Sequence, residues 1–170
     1  MVRTMLRSGM ALLLGVLTTG PTWSRDAQGA AAIRISPERS GVQVVDHGNT
    51  FFEPGLPQQR GIADVHVAPD GKTAGWLAML SDPDSGEIHG AALVIWRSGK
   101  VFRIFWTDQS FYSWTFDSRA ERVAYHTGPL HGERTSHCEL RSVANGTQLD
   151  HWDGDLSNDA RPAWALKLTH

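Results

Sequence analysis

Ala68-Pro69-Asp70-Gly71-Lys72-Thr73-Ala74-Gly75-Trp76 carries the chain out of one strand, around a tight turn and into the next. Pro69 presets a negative φ and Gly71 accepts a positive one, which is the chemistry of a β-turn. Ile62 to Val67 alternates before the turn, and Thr73 to Leu80 returns after it. Downstream, Asp82-Pro83-Asp84-Ser85-Gly86 turns again, Ala91 to Trp96 makes a third strand, Ser98-Gly99 a turn, and Val101 to Trp106 a fourth strand. The period-2 pattern with turn residues between the runs predicts an antiparallel meander of four strands.

The unit recurs. Phe111 to Phe116, Arg122 to Tyr125, Cys138 to Val143 and Gln148 to Trp152 are the matching strands, with the polar stretch His126 to His137 as a long loop between the second and third. Val65 matches Trp114, Val67 matches Phe116 and Trp76 matches Tyr125 at an offset of 49, while Gly99 matches Gly146 at 47. The expected organisation is an all-β domain over 33–170 with blade-like units at 62–108 and 111–155. Upstream, Ile33 to Ile35 and Val42 to Val45 are short β-branched runs.

The quoted turn resembles the repeat core of TolB-like, WD-type β-propeller proteins, and Asp117-Ser118-Arg119-Ala120-Glu121-Arg122-Val123-Ala124-Tyr125 is similar to a degenerate second copy. The resemblance covers about residues 60–155 and implies propeller blades of four strands. Propellers close with roughly 4–8 blades, and two units fall short of that. The expected architecture is therefore a partial β-propeller or a two-sheet sandwich. The strand edges are to be occupied by the termini (Ala163 to Leu168 joining Val42 to Val45) or by further copies of the chain that complete a ring.

At the N-terminus, Arg3 and Arg7 precede the uncharged run Met10 to Leu17, and Thr22-Trp23-Ser24 ends it with small residues. These are the parts of a secretory signal over 1–24, with a flexible leader at 25–32 and a second cut site before Ala30. The apolar run falls short of the about 20 residues that span a bilayer. The expected location is exported, periplasmic or secreted. Sixteen Lys and Arg, less Arg3 and Arg7, leave 14 against 18 acidic residues in the processed chain. That balance argues against nucleic acid, which demands clustered cations. Cys138 is the lone cysteine, so packing rather than a disulfide must supply stability, and its place in an alternating run suits a buried thiol.

Catalytic signatures are missing: the chain has no Gly-x-Ser-x-Gly elbow, no His-Glu-x-x-His helix and no phosphate-binding Gly-rich loop. His126, His131 and His137 are the residues zinc would take, and Asp82, Asp84 and Glu87 around Gly86 resemble part of a calcium loop. Neither set has the spacing of a known site, and no cofactor is expected. Of the aromatic residues, Trp106 and Trp152 stand at equivalent strand exits, each followed by acids. Exposed there, each ring is a platform for a sugar face, with Asp108 and Asp153 accepting from hydroxyls.

The expected function is a non-catalytic binding domain that engages a protein partner through loops and strand edges, as the resemblance implies. The 126–137 loop, with His131, Glu133 and above all Arg134, is the expected contact surface. A glycan-binding module built on Trp106 and Trp152, and a metal-dependent enzyme centred on the three histidines, are the alternatives.

Overall fold

The computed structural model describes residues 32–35, 41–131, 136–154 and 160–168. The signal segment 1–24 and leader residues 25–31 lie outside the described residues, as do Glu133 and Arg134. What is described is all-β, in antiparallel meanders. β1 (Ala32–Ile35), β2 (Gly41–Asp46) and β3 (Asn49–Pro54) form a first sheet. β4 (Gln59–Val67), β5 (Thr73–Ser81), β6 (Ile88–Arg97) and β7 (Lys100–Trp106) form a second. β8 (Ser110–Phe116), β9 (Arg122–Gly128), β10 (Ser136–Ser142) and β11 (Gln148–Gly154) form a third. Within the described residues, no helix is long and apolar enough to cross a membrane.

Strand alternation sends successive side chains to opposite faces, and the second sheet buries both of its faces. Ala74, Trp76, Ala78, Ala92, Val94 and Trp96 pack with Val42, Val44 and Phe51 of the first sheet. Leu77, Leu93, Ile95 and Phe105 pack with Phe111, Trp114, Phe116, Val123 and Tyr125 of the third. The sheets are thus layered face to face in chain order. The uninterrupted apolar run Ala91 to Trp96 is what a strand with no solvent face requires. At the seam with the third sheet β5 has Gly75, where an added Cβ would meet Trp114 Cη2 at 2.7 Å and the Val94 carbonyl oxygen at 3.0 Å. Only glycine admits the Trp114 ring there. The indole N–H of Trp114 donates to the Asp64 carbonyl at 3.1 Å, so its burial leaves no donor unmet.

The two four-stranded sheets share their first hairpin. Val67 pairs with Ala74, and 49 residues on Phe116 pairs with Val123. In both turns the backbone closes alike: Gly71 N–H to the Ala68 carbonyl at 2.9 Å, Ala120 N–H to the Asp117 carbonyl at 3.2 Å. The stabilising carboxylate has moved, however. Asp70 Oδ1 accepts from the Lys72 and Thr73 amides, both at 2.9 Å. In the second copy Asp117 Oδ1, two places earlier in the turn, accepts from the Glu121 and Arg122 amides at 2.9 and 3.2 Å. Arg97 fastens the copies together, donating to Thr73 Oγ1 at 2.7 Å and to the Ala120 carbonyl at 2.6 Å.

Two expectations are corrected. Residues 163–168 do not join Val42 to Val45, which pair with β1 and β3. They form a short 3-10 turn, Ala165–Lys167, and place Ala165 and Leu168 over Ala124, Cys138 and Leu140 on the outer face of the third sheet. An apolar face of that sheet needed a cover more than β2 needed another strand. The stretch 126–137 is also not a loop throughout: β9 runs to Gly128 and β10 starts at Ser136, so His126 and His137 are strand residues.

Candidate functional site

β10 alternates Cys138 and Leu140 on one face with His137, Glu139 and Arg141 on the other. The second face looks toward the second sheet, whose edge strand is β7, and β7 reaches the turn after β10 through Arg103, which donates to the Val143 and Ala144 carbonyls. Those three side chains line an open cleft of about 650 Å³, together with Tyr125 and Thr127 of β9 and the run Trp106-Thr107-Asp108-Gln109. A smaller cavity of about 280 Å³ continues it along Arg103 to Trp106, past Arg141 to Asn145 and Gly146. The result is a groove with the edge of β7 as one wall and the polar face of the third sheet as the other.

Glu139 is the electrostatic centre of that wall. Tyr125 OH donates to its Oε2 at 2.6 Å, Arg141 Nε donates to the same oxygen, and His137 Nε2 lies 2.9 Å from Oε1. Partial burial works against the charge, but the three donors and the Arg141 guanidinium outweigh it and hold the carboxyl down to about 2. Burial, the bond to Glu139 and the Glu139 charge raise the Tyr125 phenol above its ordinary range. His137 Nδ1 meets a second carboxylate, Asp153 Oδ1, at 2.5 Å. Two acceptors on one ring call for a proton on each nitrogen. Burial opposes the imidazolium, yet the bonds to Asp153 and Glu139 prevail and His137 is raised above its usual value.

The expected site residues divide between two places. Trp106, 57% exposed, and Asp108 lie on the cleft, and Asp153 reaches it through His137. Trp152 pairs with Cys138 and packs on the opposite face of the sheet, so the two tryptophans do not face a common ligand. His131 is an exposed rim residue whose Nε2 pairs with Glu87 Oε2 at 2.8 Å, joining the β9–β10 loop to the β5–β6 turn. His126 is buried opposite Cys138, on the face away from His137, and rests near the Tyr112 ring. The three histidines therefore do not converge, and among the described residues no group of His, Cys, Asp and Glu is placed to hold a metal. At the acidic turn, Asp82 Oδ1 accepts from the Asp84 and Ser85 amides and the Ser85 hydroxyl, which is turn chemistry.

Tyr125, Glu139 and Arg141 were not singled out in the sequence. The signal for Glu139 and Arg141 is the period-2 placement of charge in His137-Cys138-Glu139-Leu140-Arg141, which marks a strand with one wet face.

No protein-family model matches the chain, and no curated protein does. Among solved structures it is similar to hydrazine synthase of Kuenenia stuttgartiensis, at 15% identity over 73% of this chain and 34% of that chain, with a TM-score of 0.47. The chain spans about a third of the length of that neighbour.

Proposed function

We propose that the protein is an exported, non-catalytic binding domain of blade-like repeats that engages a protein partner through the groove beside β7. One observation carries the reading: seven consecutive residues, Arg103 to Gln109, line a groove whose Trp106 ring is 57% exposed. A large aromatic left in water at the edge of a polar cleft has the composition of an interface anchor. The charged groups of the opposite wall support binding over catalysis. Glu139 already takes three donors and Arg141 also donates to the Gly146 carbonyl at 3.1 Å, so neither is poised to exchange a proton. The design suits a TolB-like propeller fragment, in which strands frame a surface and loops and edges make the contacts.

The test is recovery of a partner from the envelope by the wild-type domain and by Trp106→Ala and Asp108→Ala. The partner is expected with the wild type and lost with Trp106→Ala at unchanged thermal stability. A partner retained by both variants would remove the groove from the reading. A second reading, a carbohydrate in the same cleft, has Trp106 beside Asp108 and Gln109 in its favour; a glycan array discriminates the two. Export is tested by intact mass, expected to correspond to a chain starting after Ser24.

A further inference from the structure

β7 closes the second sheet. Along Arg103 to Trp106 it pairs with β6 on one side, and on the other side no strand among the described residues pairs with it. An edge strand directs the N–H and C=O of every second residue outward, unpaired and open to another strand. What distinguishes this edge is the wall that faces it. His137, Glu139 and Arg141 succeed one another at every second residue of β10, so they repeat at about 6.8 Å, the side-chain repeat of an extended chain. Arg141 lines both the part of the groove at Arg103 and Gly146 and the part at Trp106 to Gln109, while His137 lines the latter alone, so the wall runs beside β7 in the opposite sense. The slot thus offers main-chain hydrogen bonds on one side and side-chain pockets in strand register on the other. Its ends differ in charge. Arg103, whose guanidinium also donates to the Val143 and Ala144 carbonyls at 3.3 and 2.6 Å, and Arg141 mark one end, and Asp108 and Asp153 the other.

We propose that the groove binds an extended peptide segment of a partner protein, which adds to β7 as a fifth antiparallel strand of the second sheet, a basic residue toward Asp108 and an acidic residue toward Arg103. The inference rests on the protein-partner reading and specifies its form. Antiparallel addition sets the polarity. The peptide's N-terminal end lies at Asp108, so its basic residue precedes its acidic one. Alternate side chains face the His137–Glu139–Arg141 wall.

Three capped peptides test this by NMR titration: Lys-Thr-Val-Thr-Val-Thr-Glu, the charge-reversed Glu-Thr-Val-Thr-Val-Thr-Lys, and a copy of the first with proline at its centre. The first is expected to bind roughly tenfold more tightly than the second, because two charge contacts change from attraction to repulsion. It is also expected to slow amide exchange within Arg103 to Trp106, and the proline peptide to do neither. In the double variant Arg103→Glu/Asp108→Lys, its fold checked by the amide spectrum, the preference is expected to invert. Equal binding of both charge orders, equal binding of the proline peptide, or shifts confined to the rim loops would overturn strand addition. If no peptide binds while Trp106→Ala still abolishes partner recovery, strand addition fails and the protein-partner reading stands. If no peptide binds and a glycan does, both fall.

Discussion

Three donors converge on the Glu139 carboxylate, and two carboxylates flank the His137 ring, so each group is held in its charged form by its neighbours. The two titrations act at opposite ends of the pH scale. Glu139 is depressed from 4.5 to about 2, so its contribution is complete above 4.5 and is lost as pH falls toward 2. His137 is raised above 6.5, so its contribution is complete below 6.5 and is lost as pH rises through the raised value. Glu139→Gln is expected to cost about 2 kcal/mol at pH 6, the scale of hydrogen bonds to a charged group, and to flatten the acid limb of stability. His137→Gln is expected to flatten the alkaline limb. Urea denaturation across pH checks both; an acid limb unchanged in Glu139→Gln would mean that other carboxylates set it. At this scale the sequence was half legible. Trp106, Asp108 and Asp153 were marked by aromatic and acidic residues at strand exits. Glu139 and Arg141 were not, because a charge on a wet strand face looks like ordinary surface until the neighbouring sheet is seen beside it.

Among the elements, the two copies of the first hairpin keep one turn conformation with different residues, as a degenerate second copy implies. Gly71 and Ala120 hold the same turn position at φ of 65° and 56°. Alanine in the left-handed region costs about 1 kcal/mol, and at Ala120 a fully buried methyl of about 0.8 kcal/mol opposes that cost. Gly71→Ala is therefore expected to destabilise by about 1 kcal/mol, while Ala120→Gly comes out near neutral. Thermal melts of the two variants decide it, and a large loss in Ala120→Gly would mean that the methyl packs more tightly than its area implies. The strands were legible because period-2 runs between turn residues leave little choice. The ends of β9 and β10 were not, because His126, Thr127 and His137 are polar residues on strands, a pattern that sequence alone assigns to a loop. The 165–167 turn was missed for the reverse reason: its apolar residues suit a strand as well as a cap.

In the whole molecule, the packing of the sheets is tested at two places. One is the seam at Gly75, where a Cβ has to displace Trp114 or the Val94 carbonyl. Gly75→Ala is expected to cost about 2 kcal/mol or more, as overpacking of a closed core does, with a matching change in tryptophan fluorescence as the readout. The other is the terminal segment over the third sheet. Cys138 is fully buried beneath it, and burial first, with Asp153 adding, pushes the thiol up to about 11. Deleting residues 160–170 is expected to open that face and raise the rate of thiol labelling; an unchanged rate would mean that the sheet itself shields the sulfur. The layered stack also has a kinetic consequence. Among the described residues every hydrogen-bonded strand pairing joins strands that follow one another in the chain, so register is found by local hairpin closure, and the docking of faces brings distant residues together. Hairpins then precede docking on the folding path. Gly71→Ala is expected to slow refolding, and Gly75→Ala chiefly to speed unfolding, so chevron plots of the two variants would bend on opposite arms.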